Sequence, residues 1–234
     1  MGFTIGGLRE IREQRLAARR PGPRPTPAGI PTAVAEYTGL RGWDVTPGAR
    51  ATRNARGGRA ACSCGSAHCP SPGAHPLDAA FTIPAGATLD RVCGDWVPGA
   101  SVLLPTGRRF DILDAPAHAA RRALPRLERL GLRTGPVALA PHGRAWFFVA
   151  PGSTAELPVL LRRLGWGDTP VDLRGLGPGR HITAPPSDHG GHGPVRWLRA
   201  PGLETPATPP PVTRTLLAAL AYNCASLPCL ALHP

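Results

Sequence analysis

Three cysteines and a histidine lie close together in a segment that is rich in glycine and proline. Cys62, Cys64 and Cys69 are followed by His75 in the stretch CSCGSAHCPSPGAHP. Thiolates and imidazole nitrogens suit the tetrahedral preference of zinc, and glycine and proline provide the tight turns that bring several ligands to one ion. We therefore predict a zinc site with these four ligands. Because they leave no position for water, the zinc would be structural, not catalytic.

Two other interpretations of this segment remain open. His68 could replace His75 as the fourth ligand, but it adjoins Cys69 and would require the backbone to double back. The cysteines could also be free thiols in a loop. A metal site is favoured because thiols stay reduced in the cytoplasm. We expect a cytoplasmic protein without a membrane partner, since no apolar run is long enough to cross a bilayer and the basic start lacks the apolar centre of a secretory signal.

Two aspartates lie three positions apart on one predicted strand. Side chains alternate along a strand with period two, so only carboxylates one residue apart share a face and can hold a metal together. Asp111 and Asp114 should therefore face opposite ways. Asp114 has an alternative role as the cap of the helix that follows it.

Further candidate ligands and phosphate contacts lie in the second half of the chain. Asp172 and Arg174 are predicted on one face of a short strand, where they form either part of a metal and triphosphate site or an internal ion pair. Arg180 and His181 follow a glycine-rich loop and are candidate phosphate contacts.

The balance of charge predicts a polyanionic partner. The formal net charge is +12, and all 27 basic residues are arginine. Arginine binds phosphate through parallel hydrogen bonds, so nucleic acid or a nucleotide is the expected ligand. The alternatives are a coding bias that enriches arginine and a basic surface that is merely solvated.

Apolar periodicity, caps and turn residues predict an α/β (α+β) domain over residues 31–234, with a mixed sheet and helices packed on it. Residues 1–30 are predicted to be a basic arm and a proline-rich linker, and residues 48–76 an insertion. Helices are predicted at residues 32–40, 88–96, 117–130, 154–166 and 213–224, with a kink or restart at Pro125. Strands are predicted at residues 43–45, 101–105, 109–113, 137–140, 145–149, 171–175, 181–185 and 195–199. The strands at 101–105 and 109–113 should lie side by side, and those at 137–140 and 145–149 should form a hairpin.

The order of these motifs resembles a known family. The segments CSCG and PGAHP are followed by TG, FDILD, GRAWFF, DLRGLGPG, APPS and WLR. Together they resemble the amino-terminal domain of bifunctional DNA primase/polymerases, in a stand-alone form of actinobacterial type. The resemblance implies an RRM-like core of the archaeo-eukaryotic primase/polymerase type, template-directed nucleotide transfer, and divalent metals held by carboxylates.

Position by position, the resemblance implies losses at two of three catalytic places. Asp114 corresponds to the first carboxylate, which leaves Pro116, without a side-chain oxygen, at the second. Ala145 falls where the family has a histidine that faces the phosphates of the incoming nucleotide. Arg144, or His142 as its alternative, could replace part of that phosphate contact, and the competing interpretation of Arg144 is a solvated turn residue. Asp172 corresponds to the third place, which is retained.

Three hypotheses for function follow. The first is a primase/polymerase-like domain that binds nucleoside triphosphate and single-stranded or primed DNA, with a degenerate catalytic site. The second is an active primase/polymerase that uses Asp111, Asp114 and Asp172 with magnesium or manganese. The third is a regulator that binds protein and has no nucleic-acid role.

Overall fold

The structure, a computed structural model, describes residues 29–52, 60–202 and 209–225. Its helices are α1 (Gly29–Ala35), which continues as a π-helical turn (Glu36–Leu40), α2 (Leu89–Asp95), α3 (Ala117–Arg129), α4 (Leu157–Arg163) and α5 (Thr213–Cys224). The strands are β1 (Thr46–Gly48), β2 (Ala51–Thr52), β3 (Ala61–Cys62), β4 (Ser101–Pro105), β5 (Asp111–Pro116), β6 (Val137–Leu139), β7 (Arg144–Val149), β8 (Arg174–Leu176), β9 (His181–Thr183) and β10 (Arg196–Arg199). The predicted arm at residues 1–30 lies almost wholly outside the described residues.

The main sheet has five strands in the order β10-β6-β7-β5-β8. The predicted hairpin is confirmed, because β6 and β7 pair directly across the turn at Gly143, whose φ of 86° favours glycine. In the register of β5 with β7, Asp114 lies opposite Trp146 and Pro116 lies opposite Arg144. On the other side of β5, Asp114 lies opposite Arg174 of β8. This register decides which side chains meet at the site described below.

A second sheet has three strands in the order β1-β4-β9. The prediction that residues 101–105 and 109–113 lie side by side is therefore wrong: β4 belongs to this sheet and β5 to the main one. The turn between them is instead held by the loop before β9, since the Thr106 amide donates to the Arg180 carbonyl at 2.9 Å. The mixed sheet is also wrong, because every strand pairing among the described residues is antiparallel.

The core lies on both faces of the main sheet. One face is aromatic and packs against the three-stranded sheet, with Phe110 and Phe148 at a ring distance of 4.5 Å and Trp43 stacked on Phe148 at 5.0 Å. The other face carries Leu113 and Phe147 and packs against α3, α4 and α5. Alternation along β5 and β7 produces the two sets of side chains, and their burial is the main source of stability.

The helices follow the sequence with small differences. Thr88 caps α2, because its hydroxyl accepts from the Arg91 amide, as predicted. A single helix α3 continues through Pro125, so the predicted restart there is wrong. Five apolar side chains of α3 are buried against the sheet and α5, and this packing stabilises the helix. In the part of the chain that the structure describes, no helix is both long and apolar enough to span a bilayer.

Candidate functional site

An arginine bridges two of the predicted catalytic aspartates. Arg144 Nε donates to Asp114 Oδ1 at 2.9 Å, and Arg144 Nη1 donates to Asp172 Oδ2 at 2.6 Å. Arg144 Nη2 also donates to the main-chain carbonyl of Asp114 at 3.1 Å. We name these three residues the ion-pair triad. Burial alone would lower the pKa of Arg144, but the hydrogen bonds and charges of the two carboxylates outweigh it and raise that pKa.

The sheet positions two members of the triad. Asp114 and Arg144 lie on the aromatic face of neighbouring strands, offset by two residues in the register, and only 12% and 15% of their side-chain surfaces are exposed. A pair so largely withdrawn from water interacts more strongly than a surface ion pair, and each charge would be costly without the other. Arg174 lies opposite Asp114 but is exposed to solvent.

The end of the closing helix positions the third member. The Asp172 amide donates to the Cys224 carbonyl at 3.2 Å, and Val171 bridges Ala225 beyond the helix. Asp172 therefore precedes β8 and does not lie on it, so the predicted placement on one strand with Arg174 is wrong. Burial, and then the charge of Asp172, raise the pKa of Cys224 to about 12.

Asp111 is separated from the triad by the sheet itself. It is fully buried on the helix-packed face, where its Oδ2 accepts from the Thr154 hydroxyl at 2.6 Å and from the Thr154 amide at 3.3 Å. Its Oδ1 has no hydrogen-bond partner among the described residues. The prediction that Asp111 and Asp114 face opposite ways is confirmed, and the reason is the period-two alternation of β5.

A catalytic pair of divalent metals does not fit these residues. Two-metal phosphoryl transfer requires several oxygen ligands that converge on ions about 3.5–4 Å apart. Here Asp111 points to the wrong face, Pro116 offers no oxygen, and the nearest carboxylates are held by a guanidinium. Across residues 29–52, 60–202 and 209–225, the one set of three or more metal-ligating groups that converges is the Cys/His cluster described below.

Asp114 and Ala145 take positions that bear on two further predictions from the sequence. Asp114 does not cap α3: the cap position is Pro116, no side chain caps the helix there, and the Ala117 amide instead donates to the Gly143 carbonyl at 2.8 Å. Ala145 is fully buried in the core against the helices. Arg144, and not Ala145, is thus the side chain after the Gly143 turn that contacts Asp114.

Two of the candidate phosphate contacts outside the triad, Arg180 and His181, lie at the end of a loop that is bonded to the turn before β5. The Thr106 hydroxyl donates to the Gly177 carbonyl at 2.5 Å, and Gly107 packs against Pro178 so closely that an added Cβ would lie 2.4 Å from its Cα. The loop from Gly177 to Arg180 is thereby fixed to the turn before β5. Arg180 is exposed, and His181 is half-buried with its pKa lowered by burial.

A group of aromatic rings borders the triad on its other side. His142 stacks on His189 with ring centroids 4.6 Å apart, and Trp146 meets His189 edge to face at 5.4 Å. We name these three rings the ring stack. Sequence reasoning did not single out Trp146 or His189, although the segment SDHGGHG places histidines in a glycine-rich loop and could have indicated a site.

The four residues predicted to bind zinc converge. One ligand atom from each of Cys62, Cys64, Cys69 and His75 lies within 4.8 Å of the others, whereas His68 is not part of this group. We name them the Cys/His cluster. The sulfur of Cys62 lies 3.3 Å from His75 Nε2, and His75 Nδ1 lies 2.8 Å from the Pro76 carbonyl. A proton on Nδ1 would bond this carbonyl and leave Nε2 free for a metal.

The backbone around the Cys/His cluster explains how it is held. β3 pairs with β2, and Gly73, with φ 68°, lies so close to Ala51 that an added Cβ would be 2.5 Å from the Ala51 nitrogen. Burial alone would raise the pKa of Cys62, but hydrogen bonds from the Cys64 and Gly73 amides and from His75 lower it to about 6. Burial raises the pKa of Cys69. All five described cysteines are free thiols, so no disulfide competes with a metal.

Comparison with known proteins identifies a family for this chain. Residues 34–212 match the family model described as bifunctional DNA primase/polymerase, N-terminal. No curated protein and no solved structure matches the chain significantly. The matched range includes the Cys/His cluster, the whole ion-pair triad and the ring stack. Because the match covers most of its length, the chain belongs to the family of bifunctional DNA primase/polymerase amino-terminal domains.

Proposed function

We propose that this chain binds nucleoside triphosphate and single-stranded or primed DNA, with little or no nucleotidyl transfer of its own. The observation that carries the proposal is the position of Arg144, whose guanidinium joins Asp114 and Asp172. In a primase/polymerase-family domain these carboxylates would be expected to hold divalent metal. Here an arginine already neutralises them, and a metal would have to displace it.

The expected loss of activity has an electrostatic cause. Phosphoryl transfer depends on positive charge placed against the attacking and leaving oxygens, and removal of one well-placed group costs about a hundredfold to a thousandfold in rate. In this chain Asp111 is buried on the opposite face and Pro116 provides no ligand. A guanidinium can contact a phosphate, but it cannot hold two substrate oxygens in line as a metal pair does.

Binding requires less than catalysis and is supported by other residues. The net charge of +12 favours a polyanion, and the exposed Arg174 and Arg180 with the half-buried His181 are the proposed phosphate contacts. Arg144 makes three hydrogen bonds within the protein and is the least available of the predicted contacts. An RRM-like core is part of the proposal, because two long helices, α3 and α5, pack on one face of an antiparallel sheet.

The Cys/His cluster is proposed to hold a structural zinc ion. Three thiols and one imidazole form a complete tetrahedral donor set, and such a zinc ion supplies folding energy and not a reactive water. Cys62, Cys64, Cys69 and His75 would hold it. Their backbone is bonded to the two residues between β1 and β2, because the Ala49 amide donates to the His75 carbonyl and the Ser63 amide donates to the Arg50 carbonyl. The zinc would therefore stabilise the insertion at residues 48–76.

Two assays test the proposal together. Fluorescence anisotropy with a labelled single strand should show binding that weakens steeply as salt increases, because bound arginines release counterions. Extension of primed and unprimed templates with magnesium or manganese should stay at the level of the Asp172→Ala variant. Robust synthesis that Asp172→Ala abolishes would show an active enzyme, and absence of DNA and nucleotide binding at low salt would favour a protein-binding role.

A further inference from the structure

The ring stack leads from the core to the surface beside the ion-pair triad. Trp146 is 4% exposed, His189 is half-buried and His142 is exposed on the β6–β7 turn. The ring planes of His142 and His189 are only 21° apart, so they form a parallel stack. In the register of β5 and β7, Trp146 lies directly opposite Asp114. The stack therefore borders the place where the family resemblance puts the nucleotide site.

The rings are held in place before any ligand arrives. His189 Nδ1 lies 2.8 Å from the Thr183 hydroxyl, and the His189 amide donates to the Gly193 carbonyl at 3.0 Å. The carboxylate of Asp188 accepts from the amides of Gly191 and Gly193 at 2.6 Å and 2.8 Å. These bonds close residues 188–193 into a compact loop, so little ordering is required for a further ring to join the stack.

Two alternative roles of the histidines fit the structure less well. A metal site would need their nitrogens to converge, and the only converging group among the described residues is the Cys/His cluster. A phosphate contact would need positive imidazolium. Burial lowers the pKa of His142, and burial together with the charges of His142 and His192 lowers that of His189 to about 4. Both rings are thus neutral near pH 7, which suits stacking on another neutral ring.

We propose that the exposed side of His142 takes an unpaired nucleobase, which extends the parallel stack of His142 and His189. The inference rests on the proposed nucleic-acid binding and assigns its base contact. Two sources provide such a base, an unpaired DNA strand and a nucleoside triphosphate. Stacking on an aromatic side chain requires no particular base, so the contact adds affinity without sequence preference.

The test compares two strands that differ only in their bases. A labelled DNA single strand about twelve nucleotides long and an abasic strand with the same sugar-phosphate backbone are titrated with the full chain at fixed salt. The wild-type protein should bind the strand with bases about fivefold to a hundredfold more tightly. His142→Ala should remove most of this preference and leave affinity for the abasic strand unchanged. His142→Tyr, which keeps a ring, should retain it.

His118 provides a matched control, because it is an exposed histidine on α3 outside the ring stack. His118→Ala should change neither affinity. Competition tests the second source of the base: displacement of the labelled strand by a deoxynucleoside triphosphate, but not by inorganic triphosphate, shows that a nucleotide base takes the same contact. If neither displaces the labelled strand, the base comes from the strand.

Three results would overturn the inference. Equal affinity of the wild-type protein for both strands would overturn it while leaving the proposed function in place, and so would a His142→Ala variant that weakens both strands equally, since that would make His142 a backbone contact. Absence of binding to either strand and to nucleotide would overturn the inference together with the proposed function.

Discussion

The Cys/His cluster and the carboxylate site each contain metal-ligating residues that lie close together in the sequence, but only those of the cluster converge in space. Around the cluster, four ligands within fourteen residues converge to within 4.8 Å. At the carboxylate site, Asp111 and Asp114 are only three residues apart and lie on opposite faces of the main sheet. The cluster is complete by itself, whereas Asp114 meets Asp172 only through Arg144.

The difference follows from the backbone that carries the ligands. In a segment of turns each ligand can be aimed separately, because glycines such as Gly65 and Gly73 adopt positive φ. On a strand, the period-two alternation of side chains sets which face each residue occupies. A ligand shifted by one position along the strand therefore points to the opposite face. A turn-rich metal site therefore tolerates varied spacing, and a strand-borne one does not.

The largest expected effect concerns zinc binding by the Cys/His cluster. Purified protein should carry about one equivalent of zinc, and Cys64→Ser should lose most of it, because each thiolate ligand contributes to an apparent binding energy of about 10–16 kcal/mol in such sites. Metal analysis and thermal unfolding measure both consequences. Cys93→Ser is the matched control, an exposed cysteine outside the cluster, and should keep its metal. Freshly prepared wild-type protein without zinc would contradict the assignment.

The second largest effect concerns the ion-pair triad at the carboxylate site. Arg144→Ala leaves two carboxylates facing each other without their shared cation, and should lower the free energy of unfolding by about 3–4 kcal/mol. Urea denaturation measures this free energy. Manganese should restore part of the lost stability by binding the two carboxylates that no longer share a cation. Arg174→Ala, which removes an exposed arginine opposite the same Asp114, should cost less than about 0.5 kcal/mol. Equal losses of unfolding free energy in the two variants would show that the Arg144 bridge does not stabilise the fold more than an exposed arginine does.

A third prediction concerns the loop between the two regions. An added Cβ on Gly190 would lie 3.9 Å from the Pro72 carbonyl, so the loop of His189 approaches the insertion. The pKa of His189 is lowered to about 4 by burial and then by His142 and His192. Above pH 6.5 the residue is neutral whether folded or unfolded, and as pH falls towards 4 only the unfolded chain takes the proton. Stability should therefore decrease over this window, by at most about 3 kcal/mol from this residue.

The measurement for this third prediction is urea denaturation between pH 7 and about pH 4. Replacement of the histidine by a ring that cannot titrate, His189→Phe, should flatten the pH dependence relative to the wild-type protein. A wild-type profile that is parallel to that of His189→Phe would show that burial of His189 does not resist protonation.

The smallest effect tests the basic loop beside the carboxylate site. Arg180→Ala should weaken binding to single-stranded DNA by about 1 kcal/mol and reduce the slope of log affinity against log salt by about 0.7, because one phosphate contact is lost. Arg122→Ala, an exposed arginine on α3, is the control and should leave the slope unchanged. Anisotropy at several salt concentrations measures the slope. Equal slopes for the wild-type protein and Arg180→Ala would remove Arg180 from the interface.

Much of the fold could be predicted from local patterns. The hairpin of β6 and β7, the cap of α2 and the closing helix α5 depend on turn residues, a capping hydroxyl and apolar periodicity, which are local. The pairing of β4 could not be predicted, because its partners β1 and β9 lie far away along the chain in both directions. Proximity in sequence favoured β5 as its neighbour, and packing of the aromatic core decided otherwise.

The sequence by itself determined the Cys/His cluster, the opposite faces of Asp111 and Asp114, and the missing oxygen at Pro116, because ligand spacing and period-two alternation are properties of the local chain. Only the tertiary structure decided that Arg144 joins Asp114 to Asp172, since this bond requires the register of β5 with β7 and the end of α5 to coincide. The ring stack was likewise decided in three dimensions: His142 and His189 are distant in sequence and meet because the β6–β7 turn lies against the loop that carries His189.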